Sequence, residues 1–95
     1  MKLPDFKQSI SDALPPKEID DLALQALWFT AKGDWDKAHE LAQATEGKSG
    51  YWVHAYLHRV EGDLSNADYW YRRAGKPPHN GKLSAEWDEI AADLL

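Results

Sequence analysis

The chain has no cysteine among its 95 residues. It can therefore build neither a disulfide framework nor a thiolate-held metal centre, and a cysteine nucleophile is excluded. Long apolar runs are missing as well. No stretch approaches the roughly 18 residues needed to cross a bilayer. The N-terminus, Met1-Lys2-Leu3-Pro4-Asp5-Phe6, lacks the apolar core of a signal peptide. The expectation is a cytoplasmic protein without a membrane partner. Basic charge is scarce: 11 Lys and Arg stand against 16 Asp and Glu, for a formal net charge of −5. Nucleic-acid binders carry a basic face, so no nucleic-acid partner is expected, and the acidic balance favours solubility. Catalytic motifs are also lacking. There is no Gly-x-Ser-x-Gly elbow, and Gly47-Lys48-Ser49 has the tail of a phosphate loop without its leading glycine or strand. No cofactor is implied, and a non-enzyme is expected.

Aromatic residues are plentiful by contrast. Five Trp and four Tyr are many for one domain spanning residues 1–95 with a small core. Some of these rings are expected at a surface or interface, where Trp and Tyr provide contact area at low entropic cost. A second positive feature is a repeat. Ala26, Gly33, Asp34 and Ala38 recur 29 positions later as Ala55, Gly62, Asp63 and Ala67.

Apolar spacing predicts helices throughout and no strand. Leu3, Phe6, Ile10 and Leu14 form one stripe, with Pro4 in its first turn and Pro15-Pro16 as its stop. Residues 1–16 thus read as an N-terminal lid. A second helix is expected from about Lys17 to Lys32, apolar on two sides and hence sandwiched between neighbours. Gly33 ends it as a left-handed residue and Asp34 caps a third helix, from about Trp35 to Ala44. Gly47-Lys48-Ser49-Gly50 reads as a break. Helices from about Tyr51 to Glu61 and Leu64 to Ala74 follow, again joined by Gly-Asp. After a loop from Gly75 to Gly81, a last helix is expected, N-capped by Ser84, with Trp87, Ile90, Ala91 and Leu94 on one face. Residues 83–95 would then cap the array.

Gly33-Asp34-Trp35-Asp36-Lys37-Ala38 resembles the turn of a tetratricopeptide repeat, and Gly62 to Ala67 keeps its Gly, Asp and Ala. Ala26 and Ala55 match the family's small position, Tyr71 and Ala74 its following aromatic and small positions, and Pro77 or Pro78 its closing proline. The likeness covers about Ile19 to Pro78, with repeats at 17–46 and 47–78. It departs in period, 29 residues here against about 34 in the family. The stretch His54 to Gly75 also resembles a small family of uncharacterised bacterial proteins of similar length, which implies no activity. The fold expected from the likeness is all-α, a tetratricopeptide-like pair of helical hairpins with flanking helices. The function expected is a non-catalytic protein- or peptide-interaction module.

Within that resemblance, Trp52, Tyr56 and Arg59 line the concave groove that such repeats use for peptides. Either the groove is open or a terminal helix of the same chain fills it. Tyr71 points inward, so Trp70, Arg72 and Arg73 form a second candidate patch. The partner would be a peptide, a partner helix or a second copy of the chain. A metal-binding or enzymatic alternative centres on His54 and His58, whose i, i+4 spacing can place two imidazoles on one ion. A third ligand would come from His39, Glu40 or Glu61. Otherwise both histidines are core-edge residues hydrogen-bonded to their neighbours. The acidic residues Asp20-Asp21, Asp34, Asp36, Glu86, Asp88 and Glu89 lie near helix starts, where the helix dipole alone accounts for them.

Overall fold

Two Gly-Asp turns set the geometry. At the first, Gly33 takes φ +83. Its amide donates to Thr30 O, and the Asp34 amide donates to Phe29 O, both at 3.0 Å. These are the paired bonds of a Schellman ending. Asp34 then turns its carboxylate to the Lys37 amide at 3.1 Å and caps the next helix. Gly62, at φ +85, and Asp63 repeat the device on Arg59 O, His58 O and the Asn66 amide. One dipeptide thus stops a helix and starts another at a fixed angle.

The computed structural model describes residues 1–95. It is all-helical: α1 (Leu3–Gln8), continued by a 3-10 turn (Ser9–Ser11), α2 (Leu22–Ala31), α3 (Trp35–Gln43), α4 (Lys48–Val60), α5 (Leu64–Ala74) and α6 (Leu83–Leu94). The Gly-Asp turns make antiparallel hairpins of α2 with α3 and of α4 with α5. No helix is long and apolar enough to cross a membrane. A single cluster of 20 buried residues forms the core. Leu27 and Trp28 of α2, Val53 and Leu57 of α4, Tyr71 of α5 and Ile90 of α6 are its fully buried centre. Ala38 and Ala67 are also buried, where each hairpin's second helix meets its first. Phe6 lids the core by stacking on Trp87 at 5.6 Å between centroids.

Several boundaries differ from the expected ones. The N-terminal helix does not reach Leu14, which is 73% exposed. The Ser9 and Ser11 hydroxyls donate back to Phe6 O and Gln8 O and tighten the chain into a 3-10 turn. α2 begins at Leu22 rather than Lys17, because the Asp21 carboxylate takes the Ala23 and Leu24 amides. Ile19 stays buried on the irregular approach, its carbonyl held by Gln25 at 2.9 Å. Lys48 to Gly50, expected as a break, is the first turn of α4. Gly50 is required there by close approach: a Cβ would lie 2.7 Å from Thr45 O. Ser84 lies inside α6 and caps nothing; Lys82 occupies the N-cap.

The turn geometry yields a stability prediction. Gly33→Val or Gly62→Val should each cost about 1–3 kcal/mol in urea unfolding. Nothing lies within 4 Å of a Cβ at either site, so the cost is one of backbone conformation. Unchanged midpoints would contradict the role given to these turns.

Candidate functional site

The face of α4 expected to line a groove is closed. Trp52, Tyr56 and Arg59 share a stripe of α4, but α6 and the loop before it occupy that face. Glu86 of α6 is fully buried. Its carboxylate accepts from Trp52 Nε1 at 3.2 Å, Tyr71 OH at 2.5 Å and Arg59 Nη1 at 2.9 Å. The other Arg59 nitrogen donates to Gly81 O. Tyr56 is buried as well, and burial together with the Glu86 charge pushes its hydroxyl up to about 12. Tyr71 is raised too, by burial first, then by the bond that it donates to Glu86. What is left of the groove is a cleft of about 450 Å³, bordered by Ile10, Ala31, Tyr56 and Trp87. The stripe expected to hold a peptide therefore holds the chain's own last helix.

Glu86, expected to serve only the helix dipole, is the polar centre of this closure. Its position carried a readable signal. It stands four residues before Ile90, on the same stripe as buried Ile90 and half-buried Leu94.

The second group is histidine. His54 and His58, one turn apart on α4, are both buried. His39 reaches them from α3, four residues after Trp35 on the same face. His39 Nε2 and His54 Nε2 are 3.0 Å apart, so one donates and the other accepts. One ring nitrogen from each of the three lies within 4.8 Å of the other two. His58 Nδ1 is held by Glu61 at 3.0 Å. Trp35 stacks on His39 at 4.7 Å and Trp70 stacks on His54 at 3.8 Å, while Trp35 Nε1 is tied to Leu57 O at 2.8 Å. Burial, then the neighbouring His39 and His58, lower His54 to about 4. His39 is lowered as well, again chiefly by burial. Both are neutral imidazoles at neutral pH. Of the three further ligands considered from sequence, His39 joins the pair and Glu61 backs His58. Glu40 pairs loosely with Lys37 at 3.9 Å.

The third group lies on the outer face of α5. Trp70 is half-buried, and Arg72 and Arg73 are exposed. The Arg73 guanidinium sits over Tyr51 at 4.5 Å, Trp70 at 5.1 Å and Tyr69 at 5.9 Å. It also donates long bonds to the Tyr51 and Tyr69 hydroxyls. No carboxylate pairs with it. Nearby, Lys76 caps the Trp52 ring at 4.1 Å. The sequence alone groups Tyr69 and Trp70 with Arg72 and Arg73; Tyr51, which completes the cage, lies 22 residues away in the chain. Tyr69 is one turn before Arg73, and Tyr51 arrives from the first turn of α4, which only the packing of α4 on α5 brings to Arg73.

No protein-family model matches the chain, and no curated protein or solved structure does either. What the protein does has to be read from these three groups.

Two outcomes follow from the geometry. Glu86→Ala leaves the Arg59 guanidinium, only 14% exposed, without its partner, and should cost about 3 kcal/mol or more. Glu86→Leu combined with Arg59→Met removes both charges and should recover most of that loss in urea unfolding. Equal losses in the single and double variants would contradict the closure. The histidines predict a pH dependence. Between 6.5, the ordinary value for His54, and about 4, its value in the fold, the unfolded chain binds a proton that the folded one refuses. Stability therefore falls as pH falls through this window. From pH 7 to 5 the wild type should lose about 1–2 kcal/mol from this group, and His54→Gln should flatten the slope.

Proposed function

We propose that the protein is a non-catalytic interaction module that docks an acidic peptide segment of another protein on the outer face of α4 and α5. The carrying observation is Arg73, held over three aromatic rings with no carboxylate of its own. Such a guanidinium, held only by two long bonds to tyrosine hydroxyls, has no charged partner and can exchange these weak bonds for a planar carboxylate. Tyr51, Tyr69 and Trp70 add rigid contact area, and exposed Arg72 and Lys76 extend the positive charge. Aromatic and arginine anchors of this kind dominate measured interfaces. On a chain of net charge −5, a basic aromatic patch stands out and selects for an oppositely charged ligand.

The paired hairpins and their Gly-Asp turns support a tetratricopeptide-like reading of Ile19 to Pro78. The usual peptide groove of such repeats is taken by α6, so the docking face moves from Trp52, Tyr56 and Arg59 to Trp70, Arg72 and Arg73. A second copy of the chain is the competing occupant, since its surface is acidic.

The test is a fluorescence titration with short glutamate-rich peptides, alongside light scattering for mass. Wild type should bind with an affinity that weakens as salt rises. Arg73→Glu should weaken binding at least about tenfold, or ~1.4 kcal/mol, with an unchanged circular dichroism spectrum. Peptide binding that ignores Arg73→Glu, or a stable dimer that the substitution dissolves, would overturn the reading.

A further inference from the structure

Three imidazoles meeting at one point are the least explained arrangement in the molecule. His39 and His54 share one hydrogen bond at 3.0 Å. That bond satisfies one nitrogen of each but leaves the third ring unused. His58 spends Nδ1 on Glu61, which leaves its Nε2 without a hydrogen-bond partner. Helix spacing and the α3–α4 packing bring the three together, and two tryptophans fix their rings.

We propose that His39, His54 and His58 form a three-histidine site for a divalent transition-metal cation of the zinc class. Each element of such a site has a counterpart here. Three imidazole nitrogens lie within 4.8 Å of one another. In a tetrahedral zinc site, ligand nitrogens about 2.0–2.1 Å from the ion are about 3.3 Å apart. Closing around an ion therefore needs a side-chain shift on the order of 1 Å. An ion would replace the single proton shared by His39 and His54 and would engage the unused nitrogen of His58. Glu61 supplies the outer partner that ligating histidines characteristically have, fixing the ring by accepting its other N–H. Imidazole without thiolate suits zinc, copper or nickel, and the chain has no cysteine to offer. His39 is half-buried, so the approach is from the α3 side, and water takes the fourth position.

This site goes beyond the docking face. The two share Trp70 but no charged group, and Arg73→Glu leaves all three histidines in place, so either can fail alone.

The experiment uses the full chain without a polyhistidine tag, stripped with chelator and dialysed. Zinc is titrated by calorimetry, and cobalt is followed by its visible absorption. Wild type should bind one zinc per chain, give tetrahedral-type cobalt bands, and melt about 5 °C or more higher with zinc present. His39→Gln, at the least buried ligand, should lose stoichiometric binding and the thermal shift while staying folded. Glu61→Gln should bind about 10–100-fold more weakly. If His54→Gln fails to fold, His39→Gln and Glu61→Gln still decide the matter. Wild type that binds no zinc, or His39→Gln that binds it equally well, would overturn the proposal.

Discussion

The structure turns on one buried carboxylate. Glu86 has no exposed surface and is satisfied by three side chains from two other helices, Arg59 and Trp52 of α4 and Tyr71 of α5. Removing a charge from water costs several kcal/mol. That cost is offset here only because every partner is in place, and no buried side-chain nitrogen or oxygen in the chain lacks a hydrogen bond. The requirement makes α6 a specific closure and not merely an apolar cover. With Glu86 seated, Trp87 is aimed at Leu27 O, its indole donating at 2.9 Å, and its ring can stack on Phe6. Lys7 then meets Asp88 at 3.2 Å. The N-terminal lid and the C-terminal helix are thus locked through the same contact region. The loop before α6 is pinned on Arg59 through Gly81 and on α6 itself by His79 with Glu89 at 3.1 Å.

Closing the interior decides where function can lie. A helical array with an open concave face would present Trp52, Tyr56 and Arg59 to a ligand. Here those residues are spent on cohesion, and the two remaining groups, the largely buried histidines and the exposed arginine cage, lie on α3, α4 and α5. There the chain places two unusual groups side by side. The histidine cluster is fixed between tryptophans. The arginine cage is charged and open. Trp70 is their common wall, stacked on His54 and 5.1 Å from the Arg73 guanidinium.

Much of the helical framework was legible in the sequence because it depends on local chemistry. Gly33-Asp34 and Gly62-Asp63 announce both a left-handed stop and a cap, and α5 runs from Leu64 to Ala74 as its periodicity indicates. Boundaries were lost where side chains compete with periodicity. Asp21 delays α2, the Ser9 and Ser11 hydroxyls cut α1 short, and Gly50 looks like a breaker although it is the only residue that fits beside Thr45. The site was half legible. His54 and His58 announce themselves by spacing, and His39 was one of three candidates for a third member. Choosing among them needed the packing of α3 on α4. Glu86 was the main loss: an acidic residue in a first helical turn has a sufficient local explanation. Only its register with Ile90 shows that it points inward, and only the tertiary fold supplies Arg59 and Tyr71 to receive it. Whether the groove was open or self-filled lay beyond periodicity for the same reason.

The most direct check of a closed interior and a working outer face is an NMR titration that follows the five tryptophan indole N–H signals while a glutamate-rich peptide is added. Trp70 lies on the outer face, whereas the Trp52 and Trp87 indoles are committed to Glu86 and Leu27 O. A shift of the Trp70 signal, with those of Trp52 and Trp87 stationary, is the predicted result. Movement of Trp52 and Trp87 with Trp70 unchanged would mean that α6 gives way and the ligand enters the groove, which would contradict the account.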